Sequence, residues 1–189
     1  IADKDGRLVL RKGPAEAELA KLVAETQPSA VVWNRRYGPA RRIDERIKKS
    51  LKADGVDAQS FNASLLAEPF DIKTGAGGSY KVFTPFWKAL QQSYVSPEPS
   101  PEPRKIESFG NPRSDDIDDW NLHPSKPDWS GGIDREWTPG EPGARKRLRD
   151  FLKHQIAGYA AGRDRPDEDH TSRLSPHLRF GEIGPHQVW

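Results

Sequence analysis

Residues 30–61 read AVVWNRRYGPARRIDERIKKSLKADGVDAQSF, and the class of architecture follows from this stretch. Ala30-Val31-Val32-Trp33 is a continuous apolar run of the kind found in a parallel strand covered on both faces. From Pro39, the residues Ala40, Ile43, Ile47 and Leu51 recur at helical spacing. Arg41, Arg42, Arg46, Lys48, Lys49 and Lys52 take the other face, and Gly55 sits where a helix C-cap belongs. Residues 56–61 then form a further strand. Upstream, Arg7-Leu8-Val9-Leu10 is a short β-prone run, and Gly13-Pro14 opens a helix with Ala15, Leu19, Leu22 and Val23 on one face, closed by Pro28. Three strands separated by helices imply right-handed crossovers and a parallel sheet, half of a doubly wound domain.

Downstream, Tyr80-Lys81-Val82-Phe83-Thr84-Pro85-Phe86-Trp87 offers a helix start, with Thr84 as N-cap and Pro85 in the first turn, and this first domain ends near Tyr94. Nine of the seventeen prolines lie between Ser96 and Gly143, a composition that favours extended polyproline II over a packed element. Residues 95–143 therefore read as a linker. Its Trp120, Trp129 and Trp137 are expected to dock on a neighbouring domain, since a free tether has no use for large apolar rings. After Gly143 the helical period returns, with Leu148, Phe151, Leu152, Ile156 and Tyr159 on one stripe, and a second, helical domain begins at residue 144.

Composition narrows the function classes. No apolar run approaches the roughly 20 residues needed to cross a bilayer, so no membrane partner is expected. The absence of cysteine removes disulfides and thiolate metal sites, and an intracellular, cytoplasmic address is the default. Net charge is only +2, so affinity for nucleic acid has to come from local clustering. His123, His154, His170, His177 and His186 show no metal-ligand spacing and read as surface or capping residues, with no metal site. Gly75-Ala76-Gly77-Gly78 lacks the Lys-Ser/Thr of a phosphate loop and reads as a turn. The chain starts at Ile1 rather than Met and ends at Trp189 inside a helical pattern, which reads as an internal piece of a longer protein.

Thr171-Ser172-Arg173-Leu174-Ser175-Pro176 brings three hydroxyls and a guanidinium together at a helix start, a set suited to a diphosphate; an ordinary Ser or Thr cap uses the same residue types. Residues 145–165 hold seven Lys or Arg against Asp150 and Asp164, the pattern of a nucleic-acid footprint or of a solvated helix face.

Tyr159, then Arg163-Asp164, Thr171-Ser172-Arg173-Leu174-Ser175 and Gly181-Glu182-Ile183, resemble in order and spacing the opening of the FAD-binding domain of class I photolyases and cryptochromes. Tyr80-Lys81-Val82-Phe83-Thr84-Pro85-Phe86 resembles the segment that ends that family's antenna domain, and Val31-Val32-Trp33-Asn34 resembles its late parallel strand. The resemblance implies an α/β fold: the C-terminal half of a doubly wound, Rossmann-like antenna domain over residues 1–94, the linker over 95–143, and the first helices of an all-α FAD-binding domain over 144–189. It further implies that Tyr159, Thr171, Ser172, Arg173, Leu174 and Ser175 contact FAD, chiefly its phosphates and ribityl chain, and that Arg163 contacts DNA phosphate. No acid-base catalyst is implied in this stretch, because the flavin performs the electron transfer. Where folate-binding members place an Asn-Glu pair, this sequence has Ala40-Arg41, so a second chromophore of folate type is not implied.

The implied activity is light-driven splitting of cyclobutane pyrimidine dimers in DNA by a deoxyribodipyrimidine photolyase, a carbon-carbon lyase, monomeric at full length. This piece alone is expected to bind FAD poorly and to repair nothing. Two other readings stand beside it: a cryptochrome-type blue-light receptor, and a nucleotide-binding α/β module with a Pro-rich tail that docks a protein partner. Nothing in these residues separates a cyclobutane dimer from a (6-4) photoproduct as substrate.

Overall fold

A computed structural model describes residues 1–108 and 110–189. It contains two compact units: Ile1–Phe61 with Ser100–Asp128, and Asn62–Pro99 with Trp129–Trp189. These units do not follow the sequence boundaries at 94 and 143. Residues 83–93 pack with the C-terminal segment, and much of the Pro-rich stretch packs with the N-terminal one.

In the first unit, helix α1 (Ala15–Thr26) leads through a left-handed Gln27 and Pro28 into β1 (Ala30–Asn34). Helix α2 (Arg41–Ala53) returns the chain to β2 (Asp57–Phe61), which lies parallel to β1 with Ala30 opposite Asp57 and Asn34 opposite Phe61. This is one βαβ unit, and Gly55, at φ +78°, makes the turn after α2 as the sequence requires. Leu51 (5% exposed) and Ala58 (1%) form its buried centre. The apolar run of β1 predicts cover on both faces, yet only Val31 and Trp33 are half-buried, while Val32 is 62% exposed.

The third strand expected at Arg7-Leu8-Val9-Leu10 is absent: β1 and β2 are the strands among the described residues. The backbone there pairs instead with the Pro-rich segment. Leu10 N–H donates to Ser114 Oγ (3.0 Å), Asp115 N–H to the Leu10 carbonyl (2.7 Å), and Lys12 N–H to Asp115 Oδ2 (2.8 Å). Arg11 clamps the junction, donating from Nε to the Arg113 carbonyl at 3.2 Å and in bidentate fashion to Glu25, whose carboxyl it holds below the usual range.

In the second unit, α3 (Phe83–Ser93) starts one residue before the expected cap Thr84, with extended Val82 as its N-cap. Within the expected linker, short α4 (Gly131–Glu136) precedes α5 (Glu141–His154), which begins three residues earlier than the sequence suggests. Gly140 at φ +92° and Pro142 in the first turn set that start. The stripe read from Leu148 to Tyr159 is broken: α5 ends at His154, a 3-10 turn covers Ile156–Gly158, and α6 (Tyr159–Gly162) follows. Leu152 and Ile156 are accordingly about half exposed, at 50% and 49%. Helices α7 (Ser175–Phe180) and α8 (Pro185–Val188) complete the chain. Ala144, Leu174 and Ile183 are buried together, with Leu148 packed against them.

Of the three linker tryptophans, Trp137 docks, with the Arg147 guanidinium 4.7 Å from its ring centroid and His177 on another side. Trp120 is half-buried in a 3-10 turn, whereas Trp129 is 65% exposed and does not dock in this chain. The start of α5 depends on close backbone contact, since a Cβ at Gly143 would lie 1.9 Å from the Thr138 carbonyl oxygen. Gly143→Ala is therefore expected to destabilise the protein by about 1–3 kcal/mol in urea titration, the usual cost of overpacking. Gly38→Ala, with open space around the added methyl, is expected to be near neutral.

Candidate functional site

All the residues singled out for ligand contact lie in the second unit. Tyr159 opens α6 and is 38% exposed; its ring meets the edge of Phe151 at 5.8 Å, and the Arg163 guanidinium lies 5.6 Å from its centroid. Arg163 follows α6, faces solvent and approaches Asp164 at 3.5 Å. The turn from α6 toward residue 171 is packed on His170. A Cβ at Gly162 would lie 2.2 Å from the imidazole Cγ, so glycine is required for that approach. Glu168 bonds His170 Nε2 at 2.8 Å and fixes the ring from the other side.

Thr171, Ser172, Arg173 and Leu174 precede α7, and Ser175 is its first residue. Arg173 sits at φ +50°, an uncommon conformation for a residue with a side chain. Asp169 holds its Nε at 3.2 Å, with Glu136 farther off at 3.9 Å from Nη1. The reversal at Arg173 turns Leu174 (3% exposed) into the core while leaving Thr171, Arg173 and Ser175 exposed. The Thr171, Ser175 and Tyr159 hydroxyls have no hydrogen-bond partner among the described residues, and Ser172 Oγ only weakly accepts from Leu174 N–H at 3.4 Å. Ser172 also lines a polar hollow of about 290 Å³ with Lys146, Arg147, Asp150 and Asp169. Within residues 171–175, the unpartnered Thr171 and Ser175 hydroxyls, the weakly engaged Ser172 hydroxyl and the Arg173 guanidinium are a donor set suited to phosphate and polyol oxygens, so these residues fit the polar part of a dinucleotide. Helix α7, at six residues, contributes little macrodipole of its own, and the burden falls on side chains and loop amides.

Sequence reasoning missed His177. Read as a surface or capping residue, it is 2% exposed, and its Nδ1 is 2.5 Å from Glu182 Oε2. Glu182 also accepts the Gly140 backbone N–H, and these two bonds, Gly140 first, hold its carboxyl below the usual range. One carboxylate thus ties the start of α5 to α7, directly behind residues 171–175. The spacing of five residues from His177 to Glu182 was the available signal, but five is no helical repeat; the left-handed Gly181 (φ +73°) brings them together. His186 is likewise engaged: its ring stacks on Tyr94, with Nδ1 2.5 Å from the phenol oxygen. His123 and His154 are exposed, as expected. No group of three or more potential metal ligands occurs among the described residues. The 75–78 segment closes as a turn, Thr74 N–H donating to the Gly78 carbonyl at 2.8 Å. No helix of the described chain is long and apolar enough to cross a membrane.

One parallel βαβ unit accompanied by a unit of short helices places the chain in the α/β class. The sequence model of the DNA photolyase family matches residues 1–104, more than half of the chain. The chain belongs to the DNA photolyase family. It is 45% identical over 186 residues to the deoxyribodipyrimidine photo-lyase of Agrobacterium fabrum, covering 97% of this chain and 39% of that one. It is 32% identical over 182 residues to Cryptochrome-1 of Arabidopsis thaliana, covering 95% and 27%. Among solved structures, a bacterial class III photolyase from Agrobacterium tumefaciens superposes with a TM-score of 0.92 at 43% identity, over 100% of this chain and 39% of that one. A Synechocystis cryptochrome superposes with a TM-score of 0.73 at 17% identity, over 96% of this chain and 39% of that one, and shows the fold alone. The motifs at residues 159–183 resemble class I members, whereas the Agrobacterium structure is that of a class III photolyase. The chain spans about two fifths of these photolyase relatives.

Because the folded state lowers the carboxyl of Glu182, its stabilisation is present above the ordinary carboxylate range and is lost as pH falls through the lowered value. The urea midpoint of the wild type is therefore expected to exceed that of Glu182→Gln most clearly at neutral pH. The gap closes in acid; a gap independent of pH would assign the effect to shape rather than charge.

Proposed function

We propose that the complete protein is a light-driven DNA-repair enzyme, an FAD-dependent deoxyribodipyrimidine photolyase acting on cyclobutane pyrimidine dimers. The observation that carries this reading is the joint presence of family membership along the chain and of unpartnered hydroxyls with Arg173 at residues 171–175. On this reading residues 1–94 belong to the antenna domain, 95–143 to the interdomain connection and 144–189 to the start of the FAD-binding domain.

Bound FAD supplies, under light, the electron that opens the dimer, so the residues of this chain have no proton to move in that step. Their work is to hold and orient. Thr171, Ser172 and Ser175 donate to phosphate and ribityl oxygens. Arg173, kept in place by Asp169, offsets the diphosphate charge. Tyr159 lies on the approach to the same turn. Leu174 has its side chain in the core, which leaves only its backbone for ligand contact. Arg163, exposed and loosely paired, binds a DNA phosphate. A second chromophore accompanies FAD, and the Ala40-Arg41 pair disfavours folate in the family's folate position. The substrate is DNA, the working form a monomer, and the address cytoplasmic.

Expression of the complete gene and purification in the dark is expected to yield a flavin absorption band in the blue. Arg173→Ala is expected to weaken FAD retention roughly ten- to a hundredfold, the worth of a charge-assisted hydrogen bond. Arg163→Ala is expected to keep the flavin but lower affinity for dimer-containing oligonucleotide and reduce its salt slope by about 1. Light-dependent restoration of the dimer by the wild type completes the case. A flavoprotein that binds but never repairs such DNA is a cryptochrome-type receptor instead, and a full-length protein that takes up no FAD overturns the flavin reading altogether.

A further inference from the structure

The most concentrated charge in the first unit lies on α2 and the loop before it. Residues 35–52 contain eight Lys or Arg and two acids, although the whole chain nets only +2, so the rest of the sequence is net negative. The inner face of α2 is occupied: Leu51 is buried, and Ile43 and Ile47 are half-buried, with Ile47 and Leu51 lining the groove toward α1. The outer face exposes Arg41, Arg42, Arg46, Lys49 and Lys52, with half-buried Lys48 at its edge and Glu45 as its acid. Arg41 pairs with Glu45 at 3.1 Å and Arg46 with Glu16 at 2.6 Å. Arg42, Lys48, Lys49 and Lys52 have no acidic partner among the described residues.

This arrangement works against the helix that carries it. Arg41 and Arg42 stand in the first turn, at the positive end of the helix dipole, and Ala40 provides no side-chain cap. Arg42 with Arg46, and Lys48 with Lys52, are like-charged pairs four residues apart, which destabilise a helix. A face kept for solubility alone would mix signs to gain stability, whereas this one concentrates one sign at a cost to its own helix. From Arg42 to Lys52 the helix advances about 15 Å, and a DNA strand presents a phosphate roughly every 3.4 Å along its axis, so four free cations match about four phosphates.

We infer that the outer face of α2 is a second, sequence-independent contact for the phosphate backbone of duplex DNA, additional to Arg163 and carried by the other compact unit. The inference rests on DNA being the substrate. An anionic bilayer offers the same charge, but the apolar side of α2 is already packed against β2 and α1, which leaves no apolar stripe to enter a membrane. The contact carries no base specificity; it raises the concentration of enzyme along undamaged DNA, where lesions must be found.

The test uses the full-length flavoprotein and a short undamaged fluorescent duplex, with anisotropy read between about 50 and 200 mM salt. Replacing Lys48, Lys49 and Lys52 together by Gln is expected to weaken binding at the lower salt at least about tenfold and to reduce the slope of log affinity against log salt by about 2.7, with flavin content unchanged. Glu45→Gln is expected to tighten binding and steepen the slope, and it gives an independent reading should the triple variant fold poorly. Unchanged slopes in a wild type and variants that all bind the duplex overturn the inference while leaving the proposed repair function intact. Loss of binding to phosphatidylserine vesicles with DNA affinity unchanged overturns it in favour of a membrane. A wild type that binds no duplex, damaged or undamaged, refutes the repair reading itself.

Discussion

The helical unit depends on one carboxylate. Glu182 accepts the backbone N–H of Gly140 and bonds the buried imidazole of His177, so the start of α5 and the body of α7 are held to a common point. A buried imidazole without such a partner would be costly, and the amide of Gly140, at a helix start, has no partner within its own helix. Glu182 answers both needs at once. With α5 and α7 so joined, Ala144, Leu174 and Ile183 meet as a core, and the burial of Leu174 sets the direction in which its neighbours face.

The exposure of residues 171–175 is thus a consequence of packing behind them. Arg173 adopts a left-handed conformation because the chain must reverse between an exposed Thr171 and a buried Leu174. Asp169 stabilises the guanidinium on the loop side, and His170, wedged against Gly158 and Gly162, fixes the entry from α6. For the proposed FAD contact, a turn held by its own core would need little rearrangement on binding, which is the structural meaning of preorganisation.

The Pro-rich segment is not a passive tether. Its Asp115 and Ser114 satisfy backbone groups of residues 10 and 12, and Arg11 joins it to α1 through Glu25. Composition correctly indicated the absence of long regular elements there, since proline removes donors and fixes φ. It could not indicate the docking, because the hydrogen bonds responsible join residues about a hundred positions apart. The same blindness explains Arg7-Leu8-Val9-Leu10: β-prone side chains favour a strand, but the hydrogen-bond partner of Leu10 is a loop and not a strand.

From the sequence alone came the βαβ unit, because strand and helix periods are local and Gly55 marks their turn, and the family, because the order of Tyr159, Arg163 and residues 171–175 is carried by the chain itself. The exposed and unpartnered state of the Thr171 and Ser175 hydroxyls, the burial of Leu174 and His177, and the regrouping of α3 with the C-terminal segment were decided only in three dimensions. A residue type states what a side chain can bond; which bonds remain available depends on neighbours brought in from distant positions, and burial is a property of those neighbours and not of the residue.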